Sequence, residues 1–284
     1  TQVGIETLAA PLAWGAVAVR VLTRARPRHD TVALERTVQL ASTLLDALGY
    51  GPDAVAAIAA DDPDGLGLAL RAAPNGPGPA TASRFVPLGD KRGLMRTALQ
   101  EAHRAAPTPL DVVPLPTGAP FGTLDIDTAG CTLCLACVGA CPTRALSDDP
   151  EQPTLRFTET ACVQCGLCAA TCPEKVIRLV PRLDFRPAAR EARTIKTEEP
   201  FACIACGRPF GTRSAIERVV ARLEGRHWMF AGANAARIEA LKMCDTCRIE
   251  AMTNAGVDPY AAPPRPRPRT ADDDRREGDE DEEG

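Results

Sequence analysis

The chain has 284 residues, 45% of them hydrophobic, which is enough for buried cores in two or three domains. The net charge is −4, but residues 271–284 hold nine acids and two arginines, and the rest of the chain carries 31 basic and 28 acidic residues. A nearly neutral body gives no case for nucleic-acid binding. The apolar stretch over residues 7–19 is too short to span a bilayer, so we expect no membrane insertion.

Residues 1–115 contain no cysteine and alternate between strand-like and helix-like patterns. Short apolar runs predict strands over residues 17–22, 54–60, 85–88 and 110–114. Capping residues and apolar faces predict helices from Asp30 or Thr31 to Gly49, from Asp61 to Arg71 and from Asp90 to Ala105. Strands that alternate with helices indicate an α/β domain with a small parallel sheet. No glycine-rich phosphate loop accompanies this pattern, so no nucleotide or flavin site is predicted.

Eight of the twelve cysteines form two runs of identical spacing, Cys-x-x-Cys-x-x-Cys-x-x-x-Cys-Pro. Each position of the first run recurs 31 residues later: Cys131, Cys134, Cys137 and Cys141 are followed by Cys162, Cys165, Cys168 and Cys172. The constant offset indicates a duplicated unit, and the spacing is typical of 4Fe-4S clusters. We also expect a short helix to begin at Pro142 and at Pro173, because proline fits the first turn of a helix.

With strand-like stretches over residues 123–127, 154–157 and 176–180, residues 121–185 resemble the two-cluster bacterial-type ferredoxins. The resemblance implies an α+β ferredoxin-like domain that holds two 4Fe-4S clusters and transfers single electrons at low potential. It also implies that the fourth cysteine of each run binds the other cluster. Cluster 1 then has the ligands Cys131, Cys134, Cys137 and Cys172, and cluster 2 has Cys162, Cys165, Cys168 and Cys141.

Other roles for these eight cysteines fit the pattern less well. Disulfides would need an oxidising compartment, and twelve cysteines in metal-type spacing argue against one. Zinc sites normally use pairs of Cys-x-x-Cys, which would leave two cysteines of each run over. Clusters that are purely structural and never change redox state remain an alternative.

The four remaining cysteines form two Cys-x-x-Cys pairs in residues 201–252, after a predicted linker over residues 186–200. The pairs are Cys203 with Cys206, which Gly207 follows, and Cys244 with Cys247. They resemble a treble-clef or zinc-ribbon site, in which four thiolates close a tetrahedron around one structural zinc ion. A single iron of rubredoxin type and a third iron–sulfur cluster are the alternatives. Residues 256–284 alternate proline with arginine and then become acidic, which predicts a disordered tail.

Taken together, the domains favour an iron–sulfur electron-transfer protein or subunit that relays electrons to or from a partner oxidoreductase, without catalytic residues of its own. Residues 15–110, placed before a ferredoxin module, resemble the delta-subunit-type α/β domain of hydrogenase and heterodisulfide reductase assemblies. The combination of domains is also similar to iron–sulfur proteins of bacterial formate dehydrogenase systems, which suggests such an enzyme as the partner. The competing hypotheses are an assembly or redox-sensing accessory factor for a metalloenzyme, and an enzyme with a substrate or flavin site. Reduced cysteines favour a cytoplasmic location.

Overall fold

The computed structural model describes residues 3–74, 76–226, 230, 232–254 and 270, and it divides the chain into two compact units. The first unit comprises Thr1–Glu199 and the second Pro200–Gly284. Both predicted domains of residues 1–115 and 121–185 fall in the first unit. The predicted disordered tail, residues 256–284, lies outside the described residues except for Thr270. None of the described helices is both long and apolar enough to cross a membrane.

The N-terminal part of the first unit packs helices against a two-stranded sheet. In chain order its elements are α1 (Ile5–Ala13), β1 (Val19–Thr23), α2 (Val32–Ala47), β2 (Val55–Ala59), α3 (Pro63–Ala72) and α4 (Lys91–Ala105). Strands β1 and β2 pair in parallel, with Val19 opposite Val55, as the alternation of strands and helices predicts. Leu8, Leu12, Leu44 and Leu99 are among the buried side chains that join α1, α2 and α4 in one core. The sequence pattern does not indicate α1, which contains Pro11.

Two strands predicted for the parallel sheet are not part of it. Residues 85–88 form no strand, because the carbonyl of Phe85 accepts a hydrogen bond from Trp14 Nε1 at 3.3 Å and the two rings pack at 5.2 Å. Strand β3 (Val112–Pro114) exists, but it pairs antiparallel with a later strand in the cysteine-rich region. In the described residues the parallel sheet therefore has two strands, fewer than the sequence predicts.

Tyr50 gives a direct test of this N-terminal core. Its side chain is fully buried and its hydroxyl donates to the Ala102 carbonyl at 2.8 Å, while burial raises its pKa to about 12. We expect Tyr50→Phe to lower the free energy of unfolding by about 1–2 kcal/mol, since the buried carbonyl loses a partner. Urea denaturation followed by circular dichroism measures the loss. Ser42→Ala removes a hydroxyl-to-carbonyl bond at an exposed position and should cost less than about 0.5 kcal/mol; an equal loss would contradict the assignment.

The cysteine-rich part of the first unit contains two antiparallel three-stranded sheets. Its elements are β4 (Gly122–Ile126), α5 (Ala136–Gly139), β5 (Leu146–Ser147), β6 (Thr154–Phe157), α6 (Leu167–Thr171), β7 (Ile177–Asp184) and β8 (Arg193–Thr197). The sheet orders are β3–β7–β4 and β5–β6–β8. The strand predicted over residues 154–157 is confirmed at both ends, and the strands predicted over residues 123–127 and 176–180 correspond to β4 and β7.

The linker predicted over residues 186–200 is wrong. A 3-10 helix covers Pro187–Arg190, and β8 pairs with β6 so that Thr197 lies opposite Thr154. The alternating charges of this segment belong to an edge strand, where charged side chains are common because they discourage the unpaired backbone edge from pairing with another strand.

The helices predicted to begin at Pro142 and Pro173 are also wrong. Each fourth cysteine is followed by a turn, in which Arg144 and Lys175 have positive φ angles of 54° and 56°. A left-handed residue ends any right-handed helix, so the chain turns directly into β5 or β7. The helices α5 and α6 lie before the fourth cysteines instead.

The second unit is small. A hairpin of β9 (Pro200–Ala202) and β10 (Pro209–Thr212) is followed by α7 (Arg213–Leu223), a 3-10 helix (Gly232–Lys242) and α8 (Asp245–Asn254). Among its described residues the buried side chains are few: Cys203, Thr212, Ile238 and Cys244. Two of these four are cysteines of the predicted metal site.

Candidate metal centres

Eight cysteines of the first unit surround two separate cavities. The first cavity is lined by Cys131, Cys134 and Cys137 of the first run together with Cys172 of the second. Its remaining wall is largely apolar, with Ile126, Leu133, Leu135, Leu155, Val176 and Ile177. The structure therefore places the fourth cysteine of the second run beside the first three cysteines of the first run.

The second cavity has the reciprocal arrangement. It is lined by Cys162, Cys165 and Cys168 of the second run and by Cys141 of the first. Leu124, Leu146, Phe157 and Leu179 are among its apolar neighbours. Four soft thiols that converge on an apolar cavity are the donor set that an iron–sulfur cluster requires. These residues therefore fit two 4Fe-4S clusters, and all eight thiols are free of disulfides.

The two cysteine loops share an unusual backbone conformation. Leu133 and Leu135 in the first loop have φ angles of 49° and 58°, and their counterparts 31 residues later, Gln164 and Gly166, have 54° and 80°. A left-handed conformation costs roughly 1–2 kcal/mol for a residue with a side chain. Such strain persists where a loop must hold a specific geometry, and here it bends the backbone around each set of three thiols.

Burial and mutual repulsion keep several thiols protonated in the protein without its cofactors. Burial, followed by the negative sulfurs of Cys131 and Cys134, raises the pKa of Cys137 to about 12. Burial also raises the pKa of Cys131, Cys162 and Cys168. For Cys141 burial acts in the same direction, but hydrogen bonds from the Leu146, Thr143 and Ala145 amides and the Thr143 hydroxyl outweigh it and lower the pKa. Cationic iron would bind the deprotonated sulfurs and relieve this repulsion.

Three polar side chains near the cysteines were not indicated by the cysteine spacing. Gln164 approaches Cys162 Sγ with its backbone nitrogen at 3.4 Å and its Nε2 at 3.5 Å, and the same Nε2 donates to the Thr123 carbonyl at 3.0 Å. Arg92 and Lys196 reach the cysteine loops from outside residues 121–185. The 31-residue offset could have drawn attention to Gln164, because its counterpart is the apolar Leu133. No sequence signal marks the other two.

A family model described as a 4Fe-4S dicluster domain matches residues 130–177. The matched segment holds all eight cysteines of the two runs and supports a ferredoxin-like iron–sulfur function for this part of the chain. No match to a curated protein was found. The comparison thus supports a ferredoxin-like iron–sulfur domain over residues 130–177.

The other four cysteines come together in the second unit. The sulfurs of Cys203, Cys206, Cys244 and Cys247 all lie within 4.8 Å of one another. Those of Cys206 and Cys244 are 3.8 Å apart, close to the separation of about 3.8 Å that follows from a tetrahedron with metal–sulfur bonds of about 2.3 Å. The hairpin supplies the first pair, and the second pair lies at the start of α8. The geometry therefore fits one metal ion that is closed off by four thiolates.

Backbone amides at this site stabilise negatively charged sulfurs by hydrogen bonding. Hydrogen bonds from the amides of Cys244, at 3.3 Å, and of Cys206 and Ala205 lower the pKa of Cys203 to about 6. Gly207 has a φ of 75° and donates to the Cys203 carbonyl at 2.9 Å, which closes the turn after the first pair as its position predicts. Hydrogen bonds to the sulfurs of Cys206 and Cys244 raise the pKa of Cys247 to about 12. A metal ion would bind these sulfurs in their deprotonated form.

Proposed function

We propose that this chain is an iron–sulfur electron-transfer protein or subunit that relays single electrons through two 4Fe-4S clusters to or from a partner oxidoreductase. The observation that carries the proposal is the division of the eight cysteines between two cavities, each with three thiols of one run and one thiol of the other. The family match over residues 130–177 supports the same function. When bound, each cluster supplies a one-electron redox couple at low potential.

The protein's own residues would hold and tune these clusters. The eight cysteines bind iron, the left-handed loops aim them at the cavities, and the apolar walls exclude water. Cys134 and Cys165 are exposed, so each cavity has one ligand at the surface of the chain. We infer that electrons enter and leave near these two exposed cysteines, and we assign the chain no catalytic residue.

The N-terminal α/β part is the proposed docking region for the redox enzyme. Its resemblance to delta-subunit-type domains, and that of the whole chain to iron–sulfur proteins of formate dehydrogenase systems, support an oxidoreductase of the formate dehydrogenase or hydrogenase type as the partner. The second unit would hold one structural zinc ion on Cys203, Cys206, Cys244 and Cys247 and offer a further surface for the partner.

Metal and sulfide analysis of anaerobically purified protein tests the proposal. We expect about eight irons, eight sulfides and one zinc per chain, because two cubes and one four-thiolate site require them. Electron paramagnetic resonance after dithionite reduction should show a spectrum broadened by spin coupling between two reduced clusters. About four irons, or clusters that resist reduction and are readily lost, would overturn the relay and favour an assembly or redox-sensing factor.

A further inference from the structure

One basic side chain from outside the cysteine repeat contacts the second cysteine loop. Arg92, in the first turn of α4, donates through Nη2 to the carbonyls of Cys162 at 2.8 Å and Thr160 at 3.1 Å. Its side chain is partly buried; burial and the neighbouring Arg96 lower its pKa, while the negative sulfur of Cys162 and the carboxylate of Asp90 act in the opposite direction. The cation thus lies beside the first cysteine of cluster 2.

A second basic side chain makes the equivalent contact at the other loop. Lys196, in β8, donates through Nζ to the carbonyl of Cys131. Cys131 and Cys162 are the first cysteines of their runs, so the two contacts fall on the same position of the duplicated unit. The cations come from unrelated elements, one before and one after the repeat.

The two cations differ in how their charge is compensated. Lys196 forms an ion pair with Glu198 at 2.8 Å, with both side chains less than a fifth exposed. Arg92 forms no ion pair within 4.0 Å among the described residues. The positive charge at Cys131 is therefore paired in direct contact, whereas Arg92 has only the more distant carboxylate of Asp90, which accepts from the Gly93 amide at 2.6 Å.

A second difference lies at the fourth-cysteine turns. Glu174 lines the cavity of cluster 1, two residues after Cys172. The equivalent position in the cavity of cluster 2 holds Thr143, whose hydroxyl lies 3.8 Å from Cys141 Sγ. Cluster 1 therefore faces an additional carboxylate where cluster 2 faces a neutral hydroxyl group.

We propose that Arg92 and Lys196 are positioning residues that tune one cluster each, and that the charges around them make cluster 2 the cluster of higher reduction potential. The inference rests on the proposed two-cluster function. Reduction adds a negative charge, which an adjacent cation stabilises and an adjacent carboxylate destabilises, and net charge around a cluster is one determinant of its potential. In a molecule that has taken up one electron, that electron then resides mainly on cluster 2.

A redox titration followed by electron paramagnetic resonance tests this on the full-length protein with both clusters. Arg92→Gln should lower the higher of the two midpoint potentials, with about a tenfold change in the reduced-to-oxidised ratio, which is about 59 mV for one electron. Lys196→Gln should lower the other midpoint potential, and Glu174→Gln should raise it. Arg71→Gln removes the same charge from an exposed position on α3 that lines neither cysteine cavity, and it should leave both couples within about threefold of the wild-type ratio.

Each of these variants tests whether Arg92 raises the potential of cluster 2. The proposal is overturned if Arg92→Gln moves the lower couple, if both couples move together, or if the Arg71 control shifts a couple as much as Arg92→Gln does. Arg92→Lys keeps the positive charge, so the midpoint potential of cluster 2 should stay close to the wild-type value. This variant separates the effect of the charge from any loss of cluster content that follows from removing the guanidinium contacts. If the wild-type protein does not hold eight irons, the proposed function fails before this inference is reached.

Discussion

The Cys172→Ala protein is expected to keep about four of eight irons, and the cluster that it loses should be the one held by Cys131, Cys134 and Cys137. Cys172 lies in the second run, but its side chain lines the first cavity. Its buried thiol is the fourth donor there, and no fifth cysteine among the described residues lines that cavity. Iron and sulfide analysis of the anaerobically purified variant measures the loss.

Double substitutions reveal which cluster is lost. Cys172→Ala combined with Cys137→Ala should still keep about four irons, because both changes strike cluster 1. Cys172→Ala combined with Cys168→Ala should leave almost none, because one change strikes each cluster. Cys137 and Cys168 are matched controls, since both are buried and occupy equivalent positions in α5 and α6. The opposite pattern would mean that each run binds its own cluster.

The crossed arrangement also explains how so few large side chains suffice for this region. The second core consists of cysteines and medium-sized apolar residues around the two cavities, with Phe157 as its one buried aromatic side chain among the described residues. A cluster that takes ligands from both runs closes the chain between them, which reduces the freedom of the unfolded state. Loss of either cluster should therefore loosen both halves of the repeat, whereas two uncrossed clusters would fail separately.

Cysteine spacing and short-range periodicity were enough to predict the two cysteine loops and the longer helices. The 31-residue offset indicated the duplicated loops, and in the structure the same offset relates the left-handed residues, such as Arg144 and Lys175. Helices α2 and α4 followed from apolar faces and capping residues; the side chain of Asp90 accepts from the Gly93 amide at 2.6 Å. These features depend on residues that are close together in the sequence, and for that reason the sequence pattern predicts them.

The errors concern contacts between residues far apart in the sequence. Strand β3 pairs with β7 across about 70 residues, and nothing in its three residues distinguishes that partner from β2. Strand β8 looked like a linker because charged residues recur throughout residues 186–200, yet it places Lys196 at Cys131. Arg92 likewise reaches Cys162 across 70 residues. No fixed spacing from the cysteines marks charged residues of this kind in the sequence, so only the fold reveals them.

Removal of the metal from the second unit is expected to unfold that unit while leaving the first intact. The described residues of the second unit bury Thr212 and Ile238 besides two of the cysteine ligands, Cys203 and Cys244. So small a core cannot offset the conformational entropy of about fifty residues without a metal. In zinc-finger peptides the apparent metal-binding free energy of about 10–16 kcal/mol supplies the folding free energy. The double variant Cys203→Ala/Cys244→Ala should therefore lack zinc and lose the ordered structure of residues 200–226 and 232–254.

Amide hydrogen exchange resolved by peptide measures this outcome region by region. In the double variant, peptides from residues 200–254 should exchange at the rate of an unfolded chain, and peptides from β4, β6 and β7 should keep the protection of the wild type. Val219→Ala is the matched control, because Val219 lies in α7 of the same unit and is 44% exposed; it should leave zinc content and exchange unchanged. Protected peptides in a metal-free double variant would show that the unit folds on its own core and that the four thiols are not a structural site. Iron in place of zinc in the wild-type protein would leave the folding argument intact, since either ion closes the same four-thiolate tetrahedron.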